Sequence, residues 1–227
     1  MDAPTRILPQ FRAAAALLLL LAVATGVAYP LLVTGAAALC FPAQAGGSIV
    51  RDADGRAAGS ALIGQDFAAG DPARAARWFW GRPSATAPSP DTPLDLAAGT
   101  GSAGSNLAPS NPALAAAVRA RIEALRAADA AVGLDRAASG APTAIPVDLV
   151  TASASGLDPH LSPAGILYQL PRVARARGMK EEALRAIVDR HTHERTLGLL
   201  GERTVDVLGL NRALDAATRP RPHPTYD

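Results

Sequence analysis

The chain has 227 residues, of which 49% are hydrophobic and only 4% aromatic, a length that fits one compact domain with an appendage. All basic residues except Lys180 are arginines in an alanine-rich background, so the net charge of +2 reflects base composition and does not indicate a nucleic-acid partner. The single cysteine, Cys40, excludes an internal disulfide, and no Cys/His spacing fits a zinc site.

The first element is an apolar segment from Ala13 to Phe41, with no charged residue between Arg12 and Arg51. As a helix it would be about 43 Å long, more than the ~30 Å hydrocarbon core of a bilayer. We therefore predict a transmembrane helix over residues 13–41, after a tail of residues 1–12. Pro30 lies within the span, where its missing N–H predicts a kink packed against another membrane helix.

A cleaved signal peptide is the alternative, because Ala43-Gln44-Ala45 resembles a small-residue cleavage site. The apolar part of a signal is typically about 7 to 15 residues, and this segment is about twice as long, which favours an uncleaved anchor. A lipoprotein would need small residues directly before Cys40, where Leu39 stands.

The charges that flank the span predict its orientation. Arg6 and Arg12 precede it, whereas the first charges beyond it are balanced: Arg51, Asp52, Asp54 and Arg56. The positive-inside rule then places residues 1–12 in the cytoplasm and residues 46–217 on the other side of the membrane.

The outer domain begins with a short apolar run between glycines, residues 59–65, which we predict to be a strand. Trp78, Phe79 and Trp80 follow and are interpreted as a core anchor. The Pro/Ser/Thr/Gly-rich stretch 81–110 is predicted to be a loop, and its length indicates either a functional loop or local disorder.

A helix is predicted from Asn111-Pro112, where an N-cap side chain precedes a proline at the first helical position. Gly133 is its predicted end, and residues 134–144 lack periodicity and read as a linker. The apolar positions of the helix recur at helical spacing: Leu114, Val118, Ile122 and Leu125.

A second capped helix follows a turn in which the Asp158 side chain is expected to bond its own backbone. Ser162-Pro163 repeats the arrangement of an N-cap before proline. Pro171 lies where this helix should be in mid-course, and it removes the N–H that would reach the carbonyl one turn back, so the helix is predicted to be kinked or divided. Gln169 lies beside that carbonyl.

The last elements are a helix over residues 181–191, a strand over 204–210 and a short closing helix, followed by a tail, 218–227, that is predicted to be disordered. The fold class predicted is a single N-terminal transmembrane helix plus a mixed α/β extracytoplasmic domain, helix-rich with a small sheet.

Motifs for autonomous catalysis are weak. The GSAGSN loop has neither the lysine nor the strand-to-helix context of a phosphate-binding loop. Asp158, His160 and Ser162 lie in one turn without a nucleophile elbow. His191 and His193, two residues apart on a helix, would point to different faces. We predict no catalytic residue and no metal ligand.

Several unusual strings then occur in one order: VAYPLL, GSALIGQ, GRPSAT, GSAGSNLAPSNP, VDLVTASASGLDPHLSP, YQLPRVARARG and VDVLGLNRALD. With them the chain resembles, from about Val27 to Asp215, the C subunit of the bacterial high-affinity potassium-transporting P-type ATPase, the Kdp complex. This resemblance implies a single-span accessory subunit of the bacterial plasma (inner) membrane that is not itself an enzyme.

The resemblance also implies partners: a potassium-channel-like subunit, a P-type ATP-hydrolysing subunit and a small membrane peptide. The family is described as a catalytic chaperone that raises the ATP affinity of the pump subunit. No cofactor is expected to bind tightly, and ATP is expected only through the partner subunit. The alternative function is an exported binding protein, anchored or cleaved, that is unrelated to transport.

The residues that the resemblance associates with nucleotide are Ser155, Gly156 and Gln169, and we add Asp158 as a docking candidate. The predicted topology argues against direct contact, since ATP is cytoplasmic. Two hypotheses remain for Gln169. In the local one it shapes the helix around Pro171, and its replacement by alanine costs about 1 kcal/mol of stability. In the docking one, the kinked helix and the turn before it form a rigid surface for a partner subunit.

Overall fold

The computed structural model describes residues 7–52, 54–86 and 101–218. The chain divides into two compact units, Met1–Val50 and Arg51–Asp227. Residues 1–6 of the predicted cytoplasmic tail, residues 87–100 of the predicted loop and residues 219–227 of the predicted disordered tail lie outside the described residues.

The first unit is built on an apolar helix that reads α1 (Ile7–Val23), a π-helical turn (Ala24–Ala28) and α2 (Tyr29–Cys40). Its 32 residues from Pro9 to Cys40 are long and apolar enough to cross a membrane. A candidate membrane helix is therefore present where the sequence predicts one, although it begins before residue 13. A short helix, α3 (Pro42–Ala45), follows.

Pro30 lies in the first turn of α2, directly after the π-helical turn. The Tyr29 N–H bonds to the Ala24 carbonyl, one residue further back than in an α-helix. Proline and π-turns are both recognised sources of helix bending. The local cause of the predicted kink is thus in place, and the packing of Pro30 against another membrane helix stays a prediction.

The strands are short and form two sheets. The strands β1 (Ile49–Arg51) and β2 (Ala57–Ser60) make a two-stranded sheet. The predicted strand over 59–65 is wrong beyond Ser60, because the Ser60 hydroxyl accepts the Leu62 N–H and the Ser60 carbonyl accepts the Ile63 N–H, which turns the chain. After the sheet comes a short helix, α4 (Pro72–Ala75).

The helix predicted at Asn111 is confirmed as α5 (Pro112–Ala131), where the Asn111 side chain accepts the N–H of Ala113. The linker predicted over 134–144 is wrong in part, since it contains a short helix, α6 (Arg136–Ser139). The Asp135 carboxylate caps α6 by accepting two backbone N–H groups. A 3₁₀ turn, Val147–Leu149, follows.

The second capped helix is α7 (Pro163–Arg177), with the Ser162 hydroxyl accepting the Gly165 N–H at 3.0 Å. It continues through Pro171 as one helix, so the predicted division is wrong. Nine of the ten residues at positions 165–174 are buried, all except Leu167, and packing on all sides holds the helix together where Pro171 removes one hydrogen bond.

The remaining elements are α8 (Glu181–Arg190), β4 (Thr192–His193), β5 (Thr204–Asp206) and α9 (Val207–Thr218). The strand predicted over 204–210 is wrong after Asp206, because the Asp206 carboxylate accepts the Gly209 N–H and starts a helix. With β3 (His160–Leu161), strands β4 and β5 form an antiparallel sheet in the order β3-β5-β4. The second unit is thus helix-rich with small sheets.

One hydrophobic core joins α4, α5, α7, α8 and α9 to the segment before residue 81. Phe79 and Trp80 are 0% and 2% exposed, and Trp78 packs against the core from its edge, which confirms the predicted aromatic anchor. The apolar stripe of α7 lies in the same core.

Candidate functional site

The predicted site residues Ser155, Gly156 and Asp158 belong to one turn, Ser155–Pro159, which we call the SGLDP turn. The Ser155 hydroxyl accepts the Leu157 N–H, and the Asp158 carboxylate accepts the His160 N–H, as predicted for an Asx turn. Gly156 has φ +70, a conformation that side chains with a Cβ rarely adopt. The short polar side chains of Ser155 and Asp158 therefore stabilise the turn through bonds to nearby backbone groups.

Two loop segments cover the SGLDP turn, one on each side of residues 87–100. The Ser84 hydroxyl donates to the Gly156 carbonyl at 2.7 Å, and the Ser102 hydroxyl donates to the Ser155 carbonyl at 3.0 Å. A Cβ on Gly156 would lie 2.6 Å from the Ala103 carbonyl oxygen. The turn is thus fitted against the strings GRPSAT and GSAGSN, and only a glycine fits at its centre.

Asp158 is the charged group of the turn. Its carboxylate lies 3.6 Å from a guanidinium nitrogen of Arg82, and both side chains are about one-third exposed. The Arg82 Nη2 also donates to the Ala152 carbonyl at 3.1 Å, which ties the loop before Ser84 to the chain before the turn. This part of the site combines a partly exposed ion pair with a partly buried hydrogen bond to the backbone.

Gln169 lies away from the turn, in the core, and is 0% exposed. Its amide oxygen accepts the Trp80 N–H at 2.8 Å, and its amide nitrogen donates to the Trp80 carbonyl at 3.0 Å. Asn211 holds the preceding residue in the same manner, accepting the Phe79 N–H at 3.0 Å and donating to the Phe79 carbonyl at 2.9 Å. We call these two side chains the amide clamps.

The amide clamps explain how a segment without regular secondary structure can cross a hydrophobic core. A buried backbone N–H or carbonyl needs a partner, and residues 79–80 have no neighbouring strand among the described residues that supplies one. Side-chain amides carry one acceptor and two donors, so each can replace a strand for one residue. The structure thus shows Gln169 buried inside the domain, with its amide bonded to the backbone of Trp80.

Arginine side chains surround the ring of Trp80. The guanidinium carbons of Arg172 and Arg121 lie 4.5 Å and 4.8 Å from the ring centroid. Burial lowers the pKa of Arg172 to about 9 and that of Arg121 to about 10. Arg172 donates to the Gln169 amide oxygen at 2.7 Å and to the Trp78 carbonyl at 3.0 Å. The dipoles of these two groups and the aromatic face of Trp80 stabilise its charge.

A buried ion pair joins α5 to the segment that the sequence suggested was a linker. Asp129, 4% exposed, accepts two hydrogen bonds from Arg136, at 2.7 Å and 2.9 Å. Arg136 also donates to the Tyr168 carbonyl at 2.9 Å and stacks on the Tyr168 ring at 3.7 Å. Burial raises the pKa of Tyr168. This pair fixes α6 against α7.

The residues weighed for hydrolysis have structural partners. The Ser162 hydroxyl caps α7, while the Ser162 N–H donates to Asp148 at 2.9 Å. The His160 and Asp158 side chains approach to 3.9 Å, and the His160 ring packs edge-on against His193 with 5.8 Å between centroids. This arrangement orients the turn. Among the described residues, no hydrogen bond joins the Ser162 hydroxyl to a side chain that could act as a base.

Sequence reasoning missed the polar residues that organise the core: Trp80 as a clamped residue, Arg172, Asn211, Asp129 and Arg136. One signal was available. Each of the buried polar side chains Gln169, Arg172 and Asn211 interrupts an apolar stripe at helical spacing, where a solvated residue would not be expected. The pairing of Gln169 and Asn211 with adjacent backbone residues has no sequence signature.

The described residues thus comprise one candidate membrane helix and a helix-rich domain with small sheets. The family model for KdpC, described as the c chain of the K+-transporting ATPase, matches residues 11–216. The chain therefore belongs to the KdpC family.

Relatives named potassium-transporting ATPase KdpC subunit cover almost the whole chain. The one from Sorangium cellulosum is 57% identical over 210 residues, which is 92% of this chain and 99% of the relative. The one from Methylibium petroleiphilum is 54% identical over 204 residues, which is 90% and 95% of the two chains. The one from Polaromonas naphthalenivorans is 55% identical over 205 residues, or 90% and 93%.

Proposed function

We propose that the chain is a non-catalytic accessory subunit of an ATP-driven, high-affinity potassium uptake complex. The observation that carries this proposal is the family match, which extends over residues 11–216 and so includes both the apolar helix and the domain. A match of that extent supports the same subunit role, and not the reuse of one domain in another context.

The partners proposed are a potassium-channel-like subunit, a P-type ATP-hydrolysing subunit and a small membrane peptide. The chain lies in the bacterial inner membrane with its N-terminus in the cytoplasm and its main domain outside. Supporting this orientation, Arg6 and Arg12 precede the apolar helix, and the charges that follow it are balanced.

The chain raises the ATP affinity of the pump subunit without touching nucleotide. In support of indirect action, the amide of Gln169 is fully engaged by Trp80, Arg172 and Gly165. The carbonyls of Ser155 and Gly156 accept hydroxyl groups of the covering loops. An effect on ATP affinity then passes through the assembled subunits.

The test is to express the complete complex with and without this chain, purify it through a tag on the pump subunit, and measure potassium-stimulated ATP hydrolysis against ATP concentration. We expect the complete complex to contain the chain and to show a lower KM for ATP. A complex of full activity and unchanged KM in its absence would overturn the proposal.

Orientation is tested separately by protease treatment of spheroplasts. We expect the domain after Arg51 to be digested, while a tag placed before Asp2 survives. Protection of the domain would reverse the topology and make direct contact with ATP feasible. A soluble mature chain that starts at Gly46 would instead favour the cleaved, exported binding protein.

A further inference from the structure

Two histidines from the outer strands of the three-stranded sheet meet over its central strand, β5. His160 in β3 lies opposite Asp206, and His193 in β4 lies opposite Thr204. Directly opposed residues of an antiparallel pair point to one face of the sheet, and residues two apart on a strand share that face. Both imidazole rings therefore project from the same face, and their centroids are 5.8 Å apart.

The face that carries the two rings is the one directed away from the core. Leu161 and Val205 occupy the other face, are 2% and 0% exposed, and belong to the hydrophobic core. The His160 side chain is 40% exposed, and His193 is exposed. Small solutes can therefore reach both rings.

The separation of the rings fits a shared metal ion. A ring nitrogen lies about 1.2 Å from its centroid and about 2.1 Å from a bound Zn²⁺, so the ion lies about 3.3 Å from each centroid. Two such rings would have centroids about 5.4 Å apart at the tetrahedral angle and at most about 6.6 Å apart on opposite sides of the ion. The observed 5.8 Å lies within that range.

The Asp158 carboxylate gives His160 a second partner of the kind that metal-binding histidines use. One carboxylate oxygen accepts the His160 backbone N–H at 3.0 Å and lies 3.9 Å from the ring Nδ1. A histidine that binds metal through one ring nitrogen commonly presents the other to a carboxylate, directly or through water. Because Nδ1 lies beside the carboxylate, Nε2 remains for an ion. Among the described residues, no hydrogen bond engages the ring of His193.

We propose that His160 and His193 together bind a divalent transition-metal ion, with Zn²⁺ as the representative ion. Imidazole nitrogen is a preferred ligand of zinc, copper and nickel, whereas Mg²⁺ prefers oxygen. The exposed His193 ring rotates about its broad χ2 torsion to aim a nitrogen at the ion. The described residues contain no group of three or more His, Cys, Asp or Glu that could hold a metal, so water completes the coordination.

The bound ion joins β3 to β4 across the central strand. An ion that binds only the folded chain stabilises it by mass action, so metal binding supports the sheet that lies directly after the SGLDP turn. The sequence predicted no metal ligand after comparing His191 with His193, which are close along the chain. The pair that meets in space comes from different strands, and the inference does not depend on the proposed function.

The test is a calorimetric titration of Zn²⁺ alone into the purified full chain in detergent, carrying a purification tag without histidine. The sequence contains four histidines, so the two outside the pair, His191 and His223, provide matched controls. We expect His160→Gln and His193→Gln each to weaken zinc binding at least about tenfold, since loss of even an outer partner typically costs that much. His191→Gln and His223→Gln should bind zinc as the unaltered chain does.

The titration can overturn the proposal in three ways. The unaltered chain may bind no zinc, the control variants may lose as much affinity as the variants of the pair, or Mg²⁺ may bind as well as Zn²⁺. The last result would indicate a site of oxygen ligands.

A second measurement keeps the test decisive if a variant fails to fold. The electron paramagnetic resonance spectrum of Cu²⁺ added to the unaltered chain shows how many nitrogens bind the ion. We expect the splitting of two imidazole nitrogens, and a spectrum without two bound nitrogens overturns the proposal. Saturating Zn²⁺ should also raise the midpoint of thermal unfolding of the unaltered chain, and an unchanged midpoint would contradict binding to the folded state.

Discussion

Replacing Gln169 with alanine removes the side chain that holds the backbone of Trp80. The substitution deletes the bonds to the Trp80 N–H and carbonyl, at 2.8 Å and 3.0 Å, and the 2.7 Å bond from Arg172. In the described part of the chain no other hydrogen bond reaches those two backbone atoms of Trp80. The variant therefore leaves a buried donor and a buried acceptor without partners.

The magnitude follows from burial. An unsatisfied buried polar group costs about 1 to 3 kcal/mol, so two groups cost about 2 to 6 kcal/mol, with water in the new space recovering part of it. We expect the free energy of unfolding to fall by about 3 kcal/mol. That is well above the ~1 kcal/mol that is typical of a point substitution. The sequence alone predicts this smaller cost for Gln169→Ala.

The assay is denaturant unfolding of the purified full chain in detergent, followed by tryptophan fluorescence. The sequence contains two tryptophans, Trp78 and Trp80, and both lie in the segment under test, so the signal reports on it directly. The matched control is Gln65→Ala, since the half-buried Gln65 makes one bond, to the Ala58 carbonyl at 2.7 Å. If Gln169→Ala costs no more than Gln65→Ala, the clamp argument is refuted.

Three further predictions use the same unfolding assay. Gly156→Ala should cost more than Gly140→Ala, because both have φ near +70 but only a Cβ on Gly156 meets a backbone oxygen at 2.6 Å; equal costs would contradict this. Asp129→Ala should cost about 3 kcal/mol by leaving Arg136 buried and unpaired, and a cost below about 1 kcal/mol would mark the pair as an ordinary surface one. Burial lowers the pKa of His191, so the unfolded chain binds the proton first and stability should fall as pH drops below about 6.5. His191→Gln should flatten that slope, and an unchanged slope would exclude His191 as its source.

Local signals predicted the starts of α5 and α7 well. Asn111 and Ser162 each precede a proline, and each caps a helix as expected. Such caps depend on a side chain and a backbone only a few residues away, so the sequence contains both partners. The Asx turn at Asp158 was predictable for the same reason.

Positions where a nearby side chain overrides an apolar pattern were harder to predict. Residues 204–210 alternate like a strand, but the Asp206 carboxylate caps a helix at Gly209 and ends the strand. Residues 59–65 are apolar like a strand, but Ser60 turns the chain. In both cases hydrogen bonds to one residue, Ser60 or Asp206, accompany the end of the strand.

No single stretch of the sequence predicts the contacts between distant segments. Gln169 and Trp80 are 89 residues apart, and Asn211 and Phe79 are 132 apart. The sequence showed a polar residue in an apolar stripe in each helix, which predicts burial with a partner but does not name the partner. The same limit applies to Arg136, whose partner Asp129 lies across a helix end.

The buried amide of Gln169 and the SGLDP turn are linked through the chain between them, and this changes what a functional defect would mean. Gln169 fixes Trp80, and Thr86, six residues further on, contacts the position where a Cβ of Gly156 would be. Because Gln169 is 0% exposed, an assembly defect in Gln169→Ala acts through its buried partners and is not evidence of a docking contact. Asn211 holds the neighbouring residue in the same manner from another helix. A defect shared by Gln169→Ala and Asn211→Ala therefore reports on the placement of the segment, whereas a defect confined to variants of the SGLDP turn would support the hypothesis that this turn docks on a partner subunit.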